Sequence, residues 1–209
     1  LNMQTKQKGE KLYIVCDKDQ LDENGSMQIF SLIDKLSAEL SIVKDENQKK
    51  NLLIHRAIAH SVLRDFEAAI QDFDDYLKLD DHNALAYWAR AVCQMEMDEF
   101  HVAEGQPILN VHSAEADLSD AIRLSNNNNA YIYYNRANLH AKRKELSKAI
   151  DDYTMAIKID NRLAEAYYNR GIARSKSGNK AAAIQDLSKA GELGLYDAYS
   201  VIKRLNKQK

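Results

Sequence analysis

One proline and seven glycines in 209 residues leave few points at which regular backbone must break. The two cysteines, Cys16 and Cys93, are too few and too far apart for a disulfide framework, and they do not settle the redox compartment. No apolar run approaches the ~20 residues that cross a bilayer, so no membrane insertion is expected. The chain opens Leu1-Asn2-Met3-Gln4-Thr5-Lys6, which is neither a signal core nor an initiator methionine. That opening reads as an expressed fragment or a processed product. The cytoplasm is the default compartment, with export left open if a leader was removed.

The chemical motifs of common enzyme classes are also missing. There is no phosphate-cradling glycine loop, no HExxH pair, no nucleophile elbow and no paired-cysteine metal spacing. The expectation is therefore a protein that is not an enzyme and needs no cofactor or metal. The 29 lysines and arginines are balanced by 31 aspartates and glutamates and are spread along the chain, so no basic nucleic-acid-binding face is expected. Asp17, Asp19, Asp22 and Asn24-Gly25 superficially resemble a calcium loop, but Leu21 occupies a ligand place, so a solvated turn is expected.

What remains is a chain that is 45% hydrophobic and 29% charged, rich in helix-forming residues and long enough for a sizeable core. It is also self-similar. His55-Arg56-Ala57 and Ala89-Arg90-Ala91 recur after 34 residues, as do Asn135-Arg136-Ala137 and Asn169-Arg170-Gly171. Between the two pairs, Arg90 to Arg136 is 46 residues, or 12 more than the repeat. Each segment precedes a second amphipathic stretch: Glu67–Phe73, Ala114–Leu118, Ser147–Tyr153 and Ala181–Leu187.

Four co-registered copies of this pattern resemble the tetratricopeptide repeat. Repeat position 4 holds Leu53, Tyr87, Tyr133 and Tyr167, and position 8 holds Ala57, Ala91, Ala137 and Gly171. Position 20 is alanine throughout (Ala69, Ala114, Ala149, Ala183), and position 24 is Phe73, Leu118, Tyr153 and Leu187. Position 27 is Tyr76, Ala121, Ala156 and Ala190, with Tyr76 the departure. Small residues let paired helices approach, and large ones fill the groove beside them. The arginines at position 7 are expected to bridge adjacent repeats. Asp72, Asp74, Asp75, Asp151 and Asp152, on second helices, are expected on a solvated face.

The resemblance implies an all-α fold, a right-handed superhelix (α-solenoid) of helix–turn–helix units. Its expected organisation is an irregular segment over 1–26, a helix or degenerate half-repeat over 27–49, and repeats over 50–83, 84–129, 130–163 and 164–194. A capping helix over 195–209 would close it, with Leu195, Ala198, Tyr199, Ile202 and Leu205 on its packed stripe. In the half-repeat the expected stripe is Met27, Phe30, Ile33, Leu36, Leu40 and Val43, preceded by the apolar run Leu12–Cys16. The second repeat carries an insertion near 100–113, tolerable at about 1 kcal/mol of loop-closure entropy. His60 and His140 fall at position 11, where partial burial is expected, and His101 and His112 flank the insertion.

In arrays of this family the first helix of each repeat lines a concave surface. Carried onto this chain, the lining is Ile54 and Ile58, then Leu85, Trp88, Val92 and Met95. Tyr131, Tyr134 and Asn138 follow, then Tyr168 and Ile172. This implies a protein or peptide partner held by apolar and aromatic contacts, with Trp88 an exposed anchor. The alternative is an assembly module whose groove packs on its own chain or in a homodimer. Relatives that grip acidic chaperone tails use a lysine where this chain has Tyr134, and only Asn138 and Asn169 remain of that set. A chaperone tail is therefore not the expected ligand. The closing run Asp186–Gly194 with Ala198-Tyr199 and Ile202–Arg204 also looks like the C-terminus of longer bacterial tetratricopeptide proteins.

Overall fold

The computed structural model describes residues 22–103 and 113–207. The 12–16 run, Cys16 and residues 104–112 of the insertion, His112 included, lie outside the described residues. Those described form ten helices and no strand: α1 (Glu23–Ile42), α2 (Glu46–Val62), α3 (Phe66–Leu79), α4 (Ala84–Ala103), α5 (Ala114–Leu124), α6 (Ala130–Lys142), α7 (Leu146–Ile159), α8 (Ala164–Lys176), α9 (Lys180–Glu192) and α10 (Asp197–Lys207). They fall into two compact units, Leu1–Leu124 with α1–α5 and Ser125–Lys209 with α6–α10. Within each unit, successive helices pack on one another as helix–turn–helix pairs.

Short polar side chains start several of the helices, though not α7 or α8. Asp22, Asp45 and Asn179 accept hydrogen bonds from backbone amides three residues on, as Asp65 does from Ala68. Asn83 accepts from Leu85 and Ala86, while its Nδ2 donates to the Tyr76 hydroxyl at 2.7 Å. That bond explains how position 27 tolerates Tyr76, whose ring is buried and whose oxygen is satisfied.

The turns inside repeats share one left-handed residue eight positions after the recurrent arginine: Arg64 (φ 63°), Lys144 (φ 61°) and Gly178 (φ 89°). In each, the next amide reaches back five residues: Asp65 to His60, Glu145 to His140 and Asn179 to Arg174. Asp98 stands at this position in the second repeat and stays helical, so α4 runs on to Ala103. The insertion thus begins as a helical extension and not as the loop expected from residue 100.

The pattern of small and large residues is the core. Ala57, Ala69, Ala91, Ala121, Ala137, Ala149, Ala156, Ala183 and Ala190 are fully buried, as are Phe73, Leu118 and Leu187. Gly171 is the tightest of these contacts: a Cβ there would lie 2.9 Å from Leu187 Cγ and 3.1 Å from the Ala183 carbonyl oxygen. At Gly191 the Tyr199 ring would meet a Cβ at 2.5 Å, so the outer edge of that ring rests against α9. Ala198 and Val201 supply the buried side of α10, with Leu195, Ile202 and Leu205 packed beside them. Tyr199 itself is half-exposed, a departure from the packed stripe expected of it.

A further correction concerns α1. Its buried residues are Ile29 and Leu36, while Met27 and Phe30 face outward. Leu36 and Leu40 of the expected stripe do pack inward, and Ile29 completes their face where Phe30, about 100° round the helix from it, cannot.

Beneath the packing lies a repeated ion pair. Each recurrent arginine forks onto an aspartate of the second helix in its own repeat. Arg56 pairs with Asp72 at 2.8 and 2.6 Å, Arg90 with Asp117 at 2.8 and 2.7 Å. Arg136 pairs with Asp152 at 2.7 and 2.8 Å, Arg170 with Asp186 at 2.9 and 2.7 Å. All four carboxylates are buried, which overturns the solvated face expected for Asp72 and Asp152. Three guanidinium groups use Nη1 to reach the preceding helix: Arg56 to Ser37, Arg90 to Asp74, Arg170 to Thr154. The bridge to the preceding helix is therefore the second bond of an arginine whose principal bond is internal to its repeat. Arg90, Arg136 and Arg170 also lie over the rings of Tyr87, Tyr133 and Tyr167 at 5.6–5.7 Å.

Arg90→Met is expected to lower the unfolding free energy by about 3–5 kcal/mol, because it removes the cation from between two carboxylates. Arg56→Met should cost less, since the Arg56 side chain is 24% exposed against 11% for Arg90. Urea titrations followed by circular dichroism compare the two. In the same assay Gly171→Ala should lose about 1–3 kcal/mol to overpacking. Gly191→Ala should lose less, because the half-exposed Tyr199 ring can swing aside.

Candidate partner-binding surface

The residues assigned to the concave lining come from the first helices of the pairs, and each unit presents its own set. In the first unit α2 contributes Ile54 and Ile58, and α4 contributes Leu85, Trp88, Val92 and Met95. Ile54, Ile58 and Val92 are half-buried against the core built on Leu53, Phe66 and Phe73. Leu85 and Met95 are half-buried as well. Trp88 departs from expectation: only 5% of it is exposed, and its Nε1 is buried without a hydrogen-bond partner. An indole so enclosed offers no open face to a ligand. Cys93, one turn further along α4, is fully buried, and burial pushes its thiol up to about 12. It stays protonated at neutral pH and is no nucleophile.

In the second unit α6 supplies Tyr131, Tyr134 and Asn138, and α8 supplies Tyr168 and Ile172, all half-buried. Tyr168 and Ile172 flank the core that holds α10 on α9. The structure adds two residues to this set. Asn169 Nδ2 crosses from α8 to donate to the Tyr134 hydroxyl at 3.1 Å and to Asn138 Oδ1 at 3.0 Å. From α7, the Tyr153 hydroxyl donates to the same Asn138 oxygen, with its ring 5.9 Å from that of Tyr134. Burial raises the Tyr153 hydroxyl above its ordinary range, so it remains a donor.

Asn138 and Asn169 were recognisable in the sequence as remnants of a carboxylate-gripping set. Their bond to each other was not. Tyr153 carried no signal beyond being a tyrosine where other copies have phenylalanine or leucine. The network fixes α6, α7 and α8 together, with Tyr134, Asn138 and Asn169 half-open to solvent and Tyr153 fully buried. Its chemistry is that of tyrosine hydroxyls and asparagine amides bonded to one another.

Of the histidines at position 11, His140 serves its turn, with Nδ1 2.8 Å from Glu145 at the start of α7. His60 Nδ1 lies 3.2 Å from Asp65 at the start of α3 but makes no hydrogen bond. Lys148 and His140 hold the Glu145 carboxyl below its ordinary value. Among the described residues, no group of three or more histidine, cysteine, aspartate or glutamate side chains is placed to hold a metal ion. None of the described helices is long and apolar enough to cross a membrane.

A family model described as tetratricopeptide repeat matches residues 130–162, and a second of the same description matches residues 164–193. Small glutamine-rich tetratricopeptide repeat-containing protein beta of Homo sapiens is 32% identical over 100 residues, which is 46% of this chain and 33% of that protein. A DnaJ homolog subfamily C member 7 homolog of Dictyostelium discoideum is 24% identical over 157 residues, 73% of this chain and 29% of its own length. The chain thus spans about a third of the length of these curated relatives. Among solved structures, MamA aligns with a TM-score of 0.67 at 22% identity, over 86% of this chain and 98% of that one. YrrB, described as a TPR protein with an unusual peptide-binding site, aligns with a TM-score of 0.63 at 17% identity, over 86% and 89%. Both likenesses are of fold.

Because Trp88 is enclosed, Trp88→Ala should act on stability: a loss of roughly 3–5 kcal/mol is expected from the cavity it leaves. As the only tryptophan, its fluorescence reports directly. Native emission should be blue-shifted and poorly quenched by acrylamide, and should turn red on unfolding in urea.

Proposed function

We propose that this chain, which its repeats place in the tetratricopeptide-repeat family, is a protein–protein interaction scaffold that holds a segment of its partner on the first-helix face of the second unit. The observation that carries the proposal is the network of Tyr134, Asn138 and Asn169, half-open to solvent and anchored from beneath by the fully buried Tyr153. Half-exposed tyrosines supply rigid amphipathic contact area at low entropic cost, as interface anchors do. Amides already held in place can exchange bonds with a bound backbone without first being ordered. Tyr131, Tyr168 and Ile172 give the flanking apolar contacts. The fold neighbour described as having a peptide-binding site supports the general reading.

The chemistry favours an extended segment with apolar or aromatic side chains over an acidic tail, since no lysine stands where Tyr134 does. In the first unit, Ile54, Ile58, Leu85, Val92 and Met95 form a separate, more aliphatic lining. Trp88 drops out of the anchors because it is buried. A homodimer through this face is the competing arrangement, and a bound peptide would dissociate it.

Selection of displayed peptides against the full chain supplies a probe. Tyr134→Ala should then weaken the selected peptide by roughly 2 kcal/mol or more, measured calorimetrically. The exposed substitution Lys78→Ala should leave its affinity unchanged. Selected peptides indifferent to Tyr134→Ala and Tyr131→Ala would overturn the assignment of this face.

A further inference from the structure

The even spread of charge expected along the chain does not survive its division into units. Residues 1–124 hold 13 lysines and arginines against 23 aspartates and glutamates, whereas residues 125–209 hold 16 against 8. A chain near neutrality overall is thus a strongly acidic unit joined to a strongly basic one. Such an asymmetry favours association between unlike parts of separate copies.

The exposed apolar side chains follow the same division. Five large ones stand exposed among the described residues, and all belong to two places. Met27, Phe30 and Ile42 are on α1, at 66%, 59% and 77% exposure. Tyr196, immediately before α10, and Tyr199 within it are at 73% and 49%. On α1, Glu23 lies one turn before Met27 and Asp34 one turn after Phe30, so acids bracket the exposed apolar side chains on one helical face. On α10, Lys203 and Lys207 continue the Tyr199 face at intervals of four, all of them exposed. The opposite faces of both helices are spent on their own units, through Ile29 and Leu36 on α1 and through Ala198 and Val201 on α10.

We infer that the α10 face of one copy docks on the α1 face of another, aromatic on apolar and lysine on carboxylate. Phe30 and Met27 cover Tyr196 and Tyr199, while Lys203 and Lys207 meet Glu23 and Asp34. The contact joins two different surfaces, so it is head-to-tail: each copy keeps one donor and one acceptor face, and assembly continues until a ring closes or a filament grows. It uses neither Tyr134 nor any other residue of the partner-binding surface, and does not depend on the reading of that surface.

Sedimentation velocity on the full chain provides the test. The average mass should rise with protein concentration at about 50 mM salt and fall back at about 500 mM, where screening leaves little of the charge attraction. Glu23→Lys with Asp34→Lys makes both docking faces basic, and Lys203→Glu with Lys207→Glu makes both acidic. Each double variant alone should associate at least about tenfold more weakly. An equimolar mixture of the two should recover association, because the basic α1 face of one then meets the acidic α10 face of the other. Phe30→Ser should weaken association at either salt concentration, and Tyr134→Ala should leave it intact. All substituted positions are exposed, and circular dichroism checks that the variants remain folded. A single-chain mass at every concentration in low salt would overturn the proposal. So would association that neither double variant weakens, or a mixture that recovers none.

Discussion

A guanidinium group buried between two helices has few geometries in which its charge is compensated, and in this chain that geometry recurs four times. The fork from Arg56, Arg90, Arg136 or Arg170 to the aspartate of the following helix fixes the distance between the helices and their axial register at once, because both nitrogen–oxygen contacts must be met together. The third donor then reaches the preceding helix at Ser37, Asp74 and Thr154. A side chain read from the inside out therefore orders three helices. The alanines at the fully buried positions make this possible, for only with small side chains do the helices come close enough for the fork to close.

This arrangement also explains what the second repeat can absorb. Its arginine reaches Asp117 across 27 residues instead of 16, yet the two bonds are as short as in the other copies. The constraint acts on the paired helices and not on the chain between them, and loop length adds only weakly to the entropy of closure. Asp98 in place of a left-handed residue lets α4 run on to Ala103, and α5 still packs on it.

The network of Tyr134, Asn138, Asn169 and Tyr153 rests on that scaffold. Arg136 and Arg170 hold α6 on α7 and α8 on α9, and the network joins the first helices α6 and α8 to each other. Tyrosine and asparagine at those places bond to each other and still face solvent. In the first unit the corresponding face is aliphatic and its tryptophan is enclosed, so chemically alike positions in consecutive repeats differ in their availability.

The repeat itself was legible because helix pairing imposes spacing: arginine at 34-residue intervals, alanine and large apolar residues at set distances from it. Those spacings determined the helical pairs and the buried alanines. The surroundings of individual side chains were not legible. Asp72 and Asp152 read as surface acids because a carboxylate on an amphipathic helix is usually solvated, and only the packed helix pair brings an arginine onto each. Trp88 occupies a lining position by spacing but is enclosed in the folded chain, and α1 buries Ile29 while turning Phe30 outward. Periodicity is a property of one helix and can be read along the chain. Burial and charge pairing belong to two or three helices at once, and the tertiary structure alone decided them.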